Sequence, residues 1–313
     1  MTRPSALAAI RSGDKRALSA ALARIETDPD AAETLALLEA AWSSPRAHVI
    51  GVTGPPGVGK STLTAALIGA WRKAGARIGV IAVDPSSKLS GGALLGDRLR
   101  LAVEPDEGLF IRSMAARDRL GGLAPDTVAA AALMRAAFDR VLIETVGVGQ
   151  SETDIALVAD TVLLCLQPGS GDVVQFMKAG IVEIPDAIVV TKADLGAPAQ
   201  RSFRDARSSL GKGLREDQDW QPPVLLASAS AGTGIDDLLA AIEHHRDWLE
   251  AEGRLAKRRG ACERRWLEAA LRDRFGSEGL ARLGAVAEAA SPSPFARLRE
   301  FSLRLRGATG RDT

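Results

Sequence analysis

The segment that most constrains the fold of this chain is a glycine-rich run, Gly54–Ser61, which reads G-P-P-G-V-G-K-S. It follows the apolar run Val49–Val52 and precedes a helical pattern over Ser61–Lys73. Glycines let successive backbone N–H groups turn toward one phosphate group, and the N-terminus of the following helix adds positive potential there. A strand, this turn and a helix, in that order, are the context in which G-x-x-x-x-G-K-[ST] binds nucleotide phosphates. The sequence therefore predicts a nucleoside triphosphate site formed by Gly54, Gly57, Val58, Gly59, Lys60, Ser61 and Thr62.

Acidic residues at the ends of two predicted strands extend this site. Asp84 follows the run at 78–83 and Glu144 follows the run at 141–143. Ligands bind at the carboxyl ends of parallel strands, so we expect both carboxylates and the Ser61 hydroxyl to hold Mg²⁺ directly or through water. The alternative role for each acid is a helix N-cap or an exposed strand end. Lys60 is expected to neutralise the β- and γ-phosphates, and the Gly147 amide, in a segment of the form D-x-x-G with Glu for Asp, to contact the γ-phosphate.

A second motif predicts which base is bound. Thr191-Lys192-Ala193-Asp194 follows the run Ala187–Val190 and matches the [NT]-K-x-D pattern. An aspartate accepts hydrogen bonds from guanine N1–H and the exocyclic amine, whereas adenine offers an acceptor at the first position and nothing at the second. Farther on, Ser228-Ala229-Ser230 resembles an S-A-[KL] loop that touches guanine O6, and departs from it at Ser230. We therefore predict a guanine site formed by Thr191, Lys192, Asp194, Ser228 and Ala229; the alternative is an ordinary surface Lys–Asp turn.

The middle of the chain alternates aliphatic runs with helical patterns. Because the runs lack polar alternation, we predict parallel strands buried on both faces. They are Val49–Val52, Ile78–Val83, Val141–Ile143, Val162–Leu166, Ala187–Val190 and Val224–Leu226. The predicted fold class is α/β, a P-loop NTPase with a mostly parallel sheet covered by helices on both faces. We divide the chain into an N-terminal helical extension, a nucleotide domain and a C-terminal helical arm with a tail, at 1–45, 46–250 and 251–313.

Both terminal regions are predicted to be helical. Residues 5–42 show helical apolar spacing that is broken at 28–30 into two helices. Near the other end, Leu255–Phe275 is a highly charged helical pattern with a narrow apolar stripe around Trp266, Leu267 and Leu271. A helix with so narrow a stripe needs a partner, which can be another helix or another chain.

Composition excludes several classes of function. The chain has 40 Lys and Arg against 39 Asp and Glu, 4% aromatic residues and no Tyr, which argues against nucleic-acid binding. Its two cysteines, Cys165 and Cys262, do not form a disulfide framework, and Cys165 is expected to be a buried apolar residue. No secretory signal and no apolar stretch of about 18 residues is visible. We therefore predict a cytoplasmic protein with no membrane or nucleic-acid partner.

Several longer segments resemble one family of GTPases. They are Asp84-Pro-Ser-Ser87, Gly91-Gly92 with Leu95-Gly96-Asp97, Leu120-Gly121-Gly122, and Glu144-Thr-Val-Gly-Val-Gly-Gln-Ser-Glu152. These residues resemble the MeaB group, the methylmalonyl-CoA mutase-associated GTPases that have also been labelled ArgK or LAO/AO transport ATPases. The group belongs to the SIMIBI class of P-loop proteins. The resemblance runs from about residue 5 to 275, and its motifs are dense between 48 and 194.

This resemblance implies a function. Members of the group hydrolyse GTP and act, in the manner of metallochaperones, on an adenosylcobalamin-dependent acyl-CoA mutase: they gate cofactor loading and protect the mutase from inactivation. It also implies a homodimer, in which a C-terminal arm matching 254–275 embraces the second subunit. A switch segment that relays the nucleotide state matches 169–178, with polar positions at Asp172, Gln175 and Lys178. By spacing alone, Gln175 and Lys178 share one helix face, so a solvated face is the alternative.

The expected reaction is in-line attack of water on the γ-phosphate, giving GDP and phosphate with Mg²⁺ as the cofactor. No residue is an obvious positioner of that water; Gln150 is near in sequence but can equally cap a helix. Thr191 replaces the Asn that is commoner in this group, and Asp118 stands where the group usually has Gly. The tail after Ser277 matches poorly and has no functional interpretation.

Three other functions compete with this hypothesis. A GTPase for nickel insertion into hydrogenase or urease would usually carry His-rich metal motifs, whereas this chain has only His48, His244 and His245, which we expect at the surface. A transport-associated kinase that uses ATP is disfavoured by Asp194. A GTP-binding module without hydrolysis is disfavoured by the complete set of Lys60, Ser61 and the two acids.

Overall fold

A seven-stranded sheet with the order β3-β2-β4-β1-β5-β6-β7 lies at the centre of the chain, and all of its neighbouring strands are parallel. The structure is a computed structural model that describes residues 5–85, 106–116, 123–145, 154–169, 184–210, 220–282 and 293–309. The strands are β1 (His48–Thr53), β2 (Ile78–Pro85), β3 (Leu109–Ala116), β4 (Arg140–Glu144), β5 (Thr161–Leu166), β6 (Ala187–Val190) and β7 (Val224–Leu226).

Nine helices accompany these strands within the described ranges. They are α1 (Ala6–Arg11), α2 (Lys15–Thr27), α3 (Ala32–Trp42), α4 (Lys60–Lys73), α5 (Pro125–Ala137), α6 (Ala197–Leu210), α7 (Ile235–Glu250), α8 (Arg254–Arg282) and α9 (Pro294–Thr309). Short 3-10 turns occur at Ile155–Leu157, Ala193–Leu195 and Ala251–Gly253. None of the helices in the described part of the chain has both the length and the apolar character that a bilayer-spanning segment requires.

Helices cover both faces of the sheet, as predicted. On one face, Leu67 of α4 and Ile242 of α7 share a buried cluster with Ile50 of β1 and Leu163 of β5. On the other face, α6 packs on alternate residues of β5 and β6, including Leu164. Because successive side chains of a strand point to opposite faces, a strand covered on both sides is apolar throughout. The α/β fold class predicted from the sequence is therefore confirmed.

One strand was missed in the sequence. β3 pairs in parallel with β2 along its whole length, from Ile78↔Leu109 to Pro85↔Ala116. Its apolar start is interrupted by Arg112 and Ser113, so it lacks the continuous aliphatic run that marks the six strands we predicted. Among the strands that the structure describes, it is the end member of the order and has β2 as its one neighbour. Such a strand tolerates polar residues better than a central one does.

The N-terminal region contains three helices where two were predicted. The additional break lies between α1 and α2, at Gly13, which has φ 100°. Asp14 then caps α2, since its carboxylate accepts hydrogen bonds from the backbone N–H groups of Arg16 and Ala17, both at 2.9 Å. A glycine in the left-handed conformation ends the first helix, and the Asp cap that follows it begins the next one. The predicted break at 28–30 is present between α2 and α3.

The chain divides into two compact units. One comprises 1–47, 125–138 and 256–313, and the other comprises 48–124 and 139–255. The second unit holds the sheet. The first unit groups the terminal helices with α5; in it, the backbone N–H groups of Arg46 and Ala47 donate to the carbonyl of Arg135, and the Arg135 guanidinium lies 4.5 Å above the centre of the Trp42 ring.

Helix α8 finds an intrachain partner for its apolar stripe. Trp266, Leu267 and Leu271 are buried, and the Trp266 ring lies 5.3 Å from the ring of Phe295 on α9. Phe295 also meets Trp42 of α3, edge to face, with ring centroids 5.9 Å apart. An ion pair between Glu263 and Arg297 at 2.8 Å joins the same two helices. The tail that had no interpretation in the sequence thus contributes a packing helix to this unit.

Candidate nucleotide site

The glycine-rich loop lies between the carboxyl end of β1 and the first turn of α4. Gly54, Gly57 and Gly59 have φ values of 134°, 72° and 103°, which side chains other than glycine rarely adopt. Gly54 also packs against β5: a Cβ there would lie 2.3 Å from the carbonyl oxygen of Cys165. The glycine spacing in the sequence therefore reflects backbone conformation and close packing. The loop leads directly into the N-terminus of α4, which begins at Lys60.

Lys60 lies within the loop. It is 6% exposed, and its Nζ donates to the carbonyl oxygens of Gly54 at 2.7 Å and Pro55 at 3.0 Å. An ammonium group surrounded by loop carbonyls is a point charge at the place where phosphate oxygens approach. Lys60 thus lies in the glycine-rich loop, where the sequence predicts phosphate binding.

Ser61 and Glu144 form the oxygen pair expected for a magnesium ion. The Ser61 hydroxyl donates to Glu144 Oε1 at 2.5 Å, and Glu144 is 8% exposed at the carboxyl end of β4. In the sheet, Ala82 of β2 pairs with Glu144, and Asp84 lies two residues farther along β2. The backbone of Asp84 is therefore at the same, carboxyl end of the sheet as Glu144. Within the described residues no cluster of three or more His, Cys, Asp or Glu forms a metal site. A site of a hydroxyl and one or two carboxylates fits Mg²⁺, which keeps several waters and takes phosphate oxygens as its other ligands.

The base loop is joined directly to the phosphate loop. Thr191 is 5% exposed, and its hydroxyl lies 2.6 Å from the carbonyl oxygen of Val58 and 3.1 Å from that of Leu166. The ammonium group of Lys192 donates to the carbonyl of Gly57 at 2.8 Å. Lys192 adopts the left-handed conformation, φ 51°, which a non-glycine residue holds only when its surroundings enforce it. Residues that were predicted to contact the base therefore also hold the phosphate loop in place.

Asp194 is held by a chain of hydroxyl groups. It is exposed, and its Oδ1 accepts a hydrogen bond of 2.5 Å from the buried Ser228 hydroxyl. The Ser228 oxygen in turn lies 3.1 Å from the Ser230 hydroxyl and accepts the Ala231 N–H at 3.2 Å. Because Ser228 has one hydrogen and gives it to the carboxylate, Ser230 is the donor in their contact. The serine that departs from the S-A-[KL] pattern thus supports Asp194 through Ser228.

Cys165 is a buried thiol beneath the phosphate loop. It is free and 0% exposed, as predicted, and burial raises the pKa of its thiol to about 12 although the positive charge of Lys60 acts in the opposite direction. A thiol with so high a pKa carries no thiolate at neutral pH and is inert as a nucleophile. Cys165 is therefore a packing residue.

Some expected site residues are not part of what the structure describes. Gly147 and the switch positions Asp172, Gln175 and Lys178 fall outside the described residues, as does the side chain of Asp84. Gln167, which no motif marked, receives a hydrogen bond from Lys192 Nζ at 3.3 Å.

Our expectation that all three histidines lie at the surface was wrong for two of them. His48 is 4% exposed and His245 is 1% exposed, whereas His244 is exposed. Each buried imidazole contacts the Thr161 hydroxyl, a partner far away in the sequence.

This site can be compared with known proteins. Residues 17–282 match the family described as "Methylmalonyl Co-A mutase-associated GTPase MeaB". The chain belongs to this family. The MeaB-family assignment makes it a GTPase, in agreement with the loops described above.

Relatives of this MeaB-family chain carry related names. A Pyrococcus horikoshii protein named as a GTPase is 43% identical over 253 residues, which cover 80% of each chain. GTPase ArgK of Escherichia coli is 39% identical over 225 residues, covering 70% of this chain and 67% of ArgK. The mouse protein named methylmalonic aciduria type A homolog, mitochondrial, is 38% identical over 222 residues, covering 70% of this chain and 54% of the mouse protein. The crystal structure of an LAO/AO transport system kinase matches with a TM-score of 0.68 and 30% identity over 96% of both chains.

Proposed function

We propose that this MeaB-family GTPase is a metallochaperone-like partner of an adenosylcobalamin-dependent acyl-CoA mutase, of the methylmalonyl-CoA mutase type. In this role it gates cofactor loading and protects the mutase from inactivation. The observation that supports its nucleotide chemistry most strongly is the direct link between base and phosphate loops, from Thr191 to Val58 and from Lys192 to Gly57. The family description, which names a mutase-associated GTPase, supports the choice of partner over nickel insertion or transport.

The site residues have distinct roles in the proposed reaction. The loop amides and Lys60 bind and neutralise the phosphates, and Ser61 and Glu144, with Asp84, hold Mg²⁺ when it is bound. The ion supplies charge neutralisation for the transferred phosphoryl group. Asp194, oriented by Ser228, accepts hydrogen bonds from guanine.

The remaining parts of the proposal concern regulation and assembly. Gly147 would contact the γ-phosphate, and Asp172, Gln175 and Lys178 would relay the nucleotide state to the mutase. We further propose a homodimer through the C-terminal arm, a cytoplasmic location, no membrane or nucleic-acid partner, and a functional division at 1–45, 46–250 and 251–313.

Nucleotide preference tests the base site. Asp194→Asn removes the carboxylate that accepts from guanine N1–H and the amine, so we expect preference to move from GTP toward XTP. Asp205→Asn, an exposed aspartate on α6, is the matched control and should leave preference unchanged. Binding of GTP and XTP by both variants measures the change. Turnover of ATP by the unaltered protein at the rate of GTP would refute guanine selection.

Stimulation by the client tests the partner. We expect slow GTP hydrolysis by the isolated protein and a clear acceleration on adding a purified adenosylcobalamin-dependent acyl-CoA mutase. Lys60→Ala, which removes the phosphate-binding charge, should abolish both rates. A high intrinsic rate that the mutase leaves unchanged would contradict the proposal. A pull-down from native extract then identifies the mutase retained.

A further inference from the structure

A row of buried polar side chains crosses the amino end of the sheet, opposite the nucleotide loops. His48 Nε2 lies 2.7 Å from the hydroxyl of Thr161, and the same hydroxyl lies 2.7 Å from His245 Nδ1. None of the three is more than 4% exposed. We call these three residues the His–Thr–His chain; it connects β1, β5 and α7, and all of it lies within the unit that holds the sheet.

Two aspartates border the chain, one at each end. Asp160 Oδ2 lies 3.9 Å from His48 Nδ1, and Asp186 Oδ1 lies 3.5 Å from His245 Nε2. Backbone amides fix both carboxylates: the N–H of Val49 donates to Asp160 Oδ2 at 2.9 Å, and that of Val162 donates to Asp186 Oδ2 at 2.8 Å. The backbone amides thus fix a negatively charged group near each end of the chain.

The direction of the hydrogen bonds follows from counting donors. The contact of His245 Nε2 with Asp186 is the shorter of the two carboxylate contacts, at 3.5 Å against 3.9 Å for His48 Nδ1 and Asp160, and a carboxylate favours a hydrogen on the imidazole nitrogen that faces it. We therefore place the hydrogen of His245 on Nε2. Nδ1 of His245 is then an acceptor and takes the single hydrogen of Thr161. The Thr161 oxygen in turn accepts from His48 Nε2–H. This arrangement places the hydrogens of both imidazoles on Nε2 and leaves Nδ1 of His48, 3.9 Å from Asp160 Oδ2, without a hydrogen.

His245 occupies a core position of an amphipathic helix. The buried face of α7 is formed by Ile235, Leu238, Ile242, His245 and Leu249, spaced as one stripe. An aliphatic residue would bury as much apolar surface there without needing a partner. A buried polar residue that must meet one partner instead selects one axial position of the helix, since sliding by a turn leaves it unsatisfied.

The other end of α7 carries the loop that supports the base site. Ser228 and Thr233 exchange two backbone hydrogen bonds, of 2.9 and 3.0 Å, and Gly234 caps the helix. A Cβ at Gly234 would lie 2.0 Å from the Leu226 carbonyl oxygen, so the loop is pressed against the end of β7. From Ile235 to His245 the helix rises about 15 Å, at about 1.5 Å per residue, and a helix transmits an axial displacement rigidly along that length.

We propose that the His–Thr–His chain fixes the axial register of α7 and thereby holds Ser228 against Asp194. The three residues of this chain are positioning residues for guanine nucleotide. They lie at the opposite end of the sheet from the base that they help to select. This inference rests on the proposed guanine site.

The first test is spectroscopic and needs no nucleotide. Long-range ¹H–¹⁵N spectra of the full chain labelled at histidine report the tautomer of each ring. We expect the Nε2–H tautomer for His245 and for His48 near neutral pH. A neutral His245 with its hydrogen on Nδ1, or rapid tautomer exchange at that ring, would overturn the assignment.

The second test measures GDP affinity in substituted proteins. Thr161→Val keeps the shape but removes the hydroxyl, and we expect GDP affinity to fall at least about fivefold, since two buried hydrogen bonds are lost. Thr161→Ser restores the hydroxyl and should bind within about twofold of the unaltered protein. His244→Gln, at the exposed neighbour of His245, is the matched control and should change nothing.

The outcomes separate this inference from the proposed function. If Thr161→Val is folded and binds GDP as tightly as the unaltered protein, the positioning role is refuted and the guanine site stands. If the unaltered protein itself does not bind GDP, the guanine site is refuted and the positioning role with it. If Thr161→Val does not fold, Thr161→Ser provides the test. A folded serine variant that loses GDP affinity would contradict the role of the Thr161 hydroxyl, because it still carries that hydroxyl.

Discussion

Thr191 offers the sharpest test of the link between base recognition and phosphate binding. Its hydroxyl lies 2.6 Å from the Val58 carbonyl in the phosphate loop, while its backbone N–H separately donates to the Leu166 carbonyl at 3.0 Å. Thr191→Val therefore removes the contact to Val58 and leaves the Leu166 carbonyl with a donor. Volume and β-branching are retained, so the change removes one hydroxyl donor, which the Val58 and Leu166 carbonyls share.

The size of the effect follows from the burial of this contact. Thr191 is 5% exposed, and removing one partner of a buried hydrogen bond costs about 1–3 kcal/mol. Since Val58 belongs to the nucleotide loop, we expect most of this cost in binding, as a rise in the Kd for GDP of roughly 5- to 150-fold. Isothermal titration calorimetry measures the Kd, and urea denaturation measures the remaining part as a loss in the free energy of unfolding.

Thr191→Ser is the control, because it keeps the hydroxyl and removes only a methyl group. Its Kd should stay within about threefold of that of the unaltered protein, a change of less than about 1 kcal/mol. The reasoning is refuted if the valine variant binds GDP with unchanged affinity and unfolds at unchanged urea concentration. The hydroxyl would then contribute nothing to the loop.

Two further predictions concern the interior. Burial raises the pKa of the Cys165 thiol to about 12, so this thiol should resist a thiol reagent in the native protein while Cys262 reacts; labelling of both thiols at pH 8 without denaturant would contradict this. Because the folded pKa exceeds the unfolded pKa of about 8.5, the contribution of the thiol to stability is complete below pH 8.5 and is lost as the pH rises toward 12. Phe295→Ala should lower the free energy of unfolding, measured by urea denaturation, by about 3–5 kcal/mol, because the ring contacts the buried Trp266 and the half-buried Trp42. Leu303→Ala is the control on the same helix: the residue is 59% exposed, and its loss should change the free energy of unfolding by less than about 0.5 kcal/mol. Equal effects of the two substitutions would refute the packing role of Phe295.

The sequence predicted the parts of the site that depend on local order. Lys60 and Ser61 follow a turn whose glycines are explained by backbone conformation, and Glu144 ends an aliphatic strand, so each was placed by its neighbours in the chain. Six of the seven strands were predicted for the same reason. β3 was missed because Arg112 and Ser113 interrupt its apolar run at the edge of the sheet.

Long-range partners were not predictable in this way. His48 and His245 were expected at the surface, but they contact Thr161, which is 113 and 84 residues away in the sequence, respectively. The partner of the narrow stripe on α8 was likewise invisible, since Phe295 lies in a tail with no family motif. Spacing identifies the residues of one helix face but not the element that covers it.

The packing of α9 on α8 has a consequence for how this chain can assemble. The family match ends at residue 282, yet the stripe containing Trp266 is covered by Phe295, which lies beyond that limit. An apolar stripe can be satisfied in cis by the chain's own extension or in trans by a neighbouring subunit. In this chain the stripe is covered in cis, so an assembly that buried Trp266 against a second subunit would first have to displace α9.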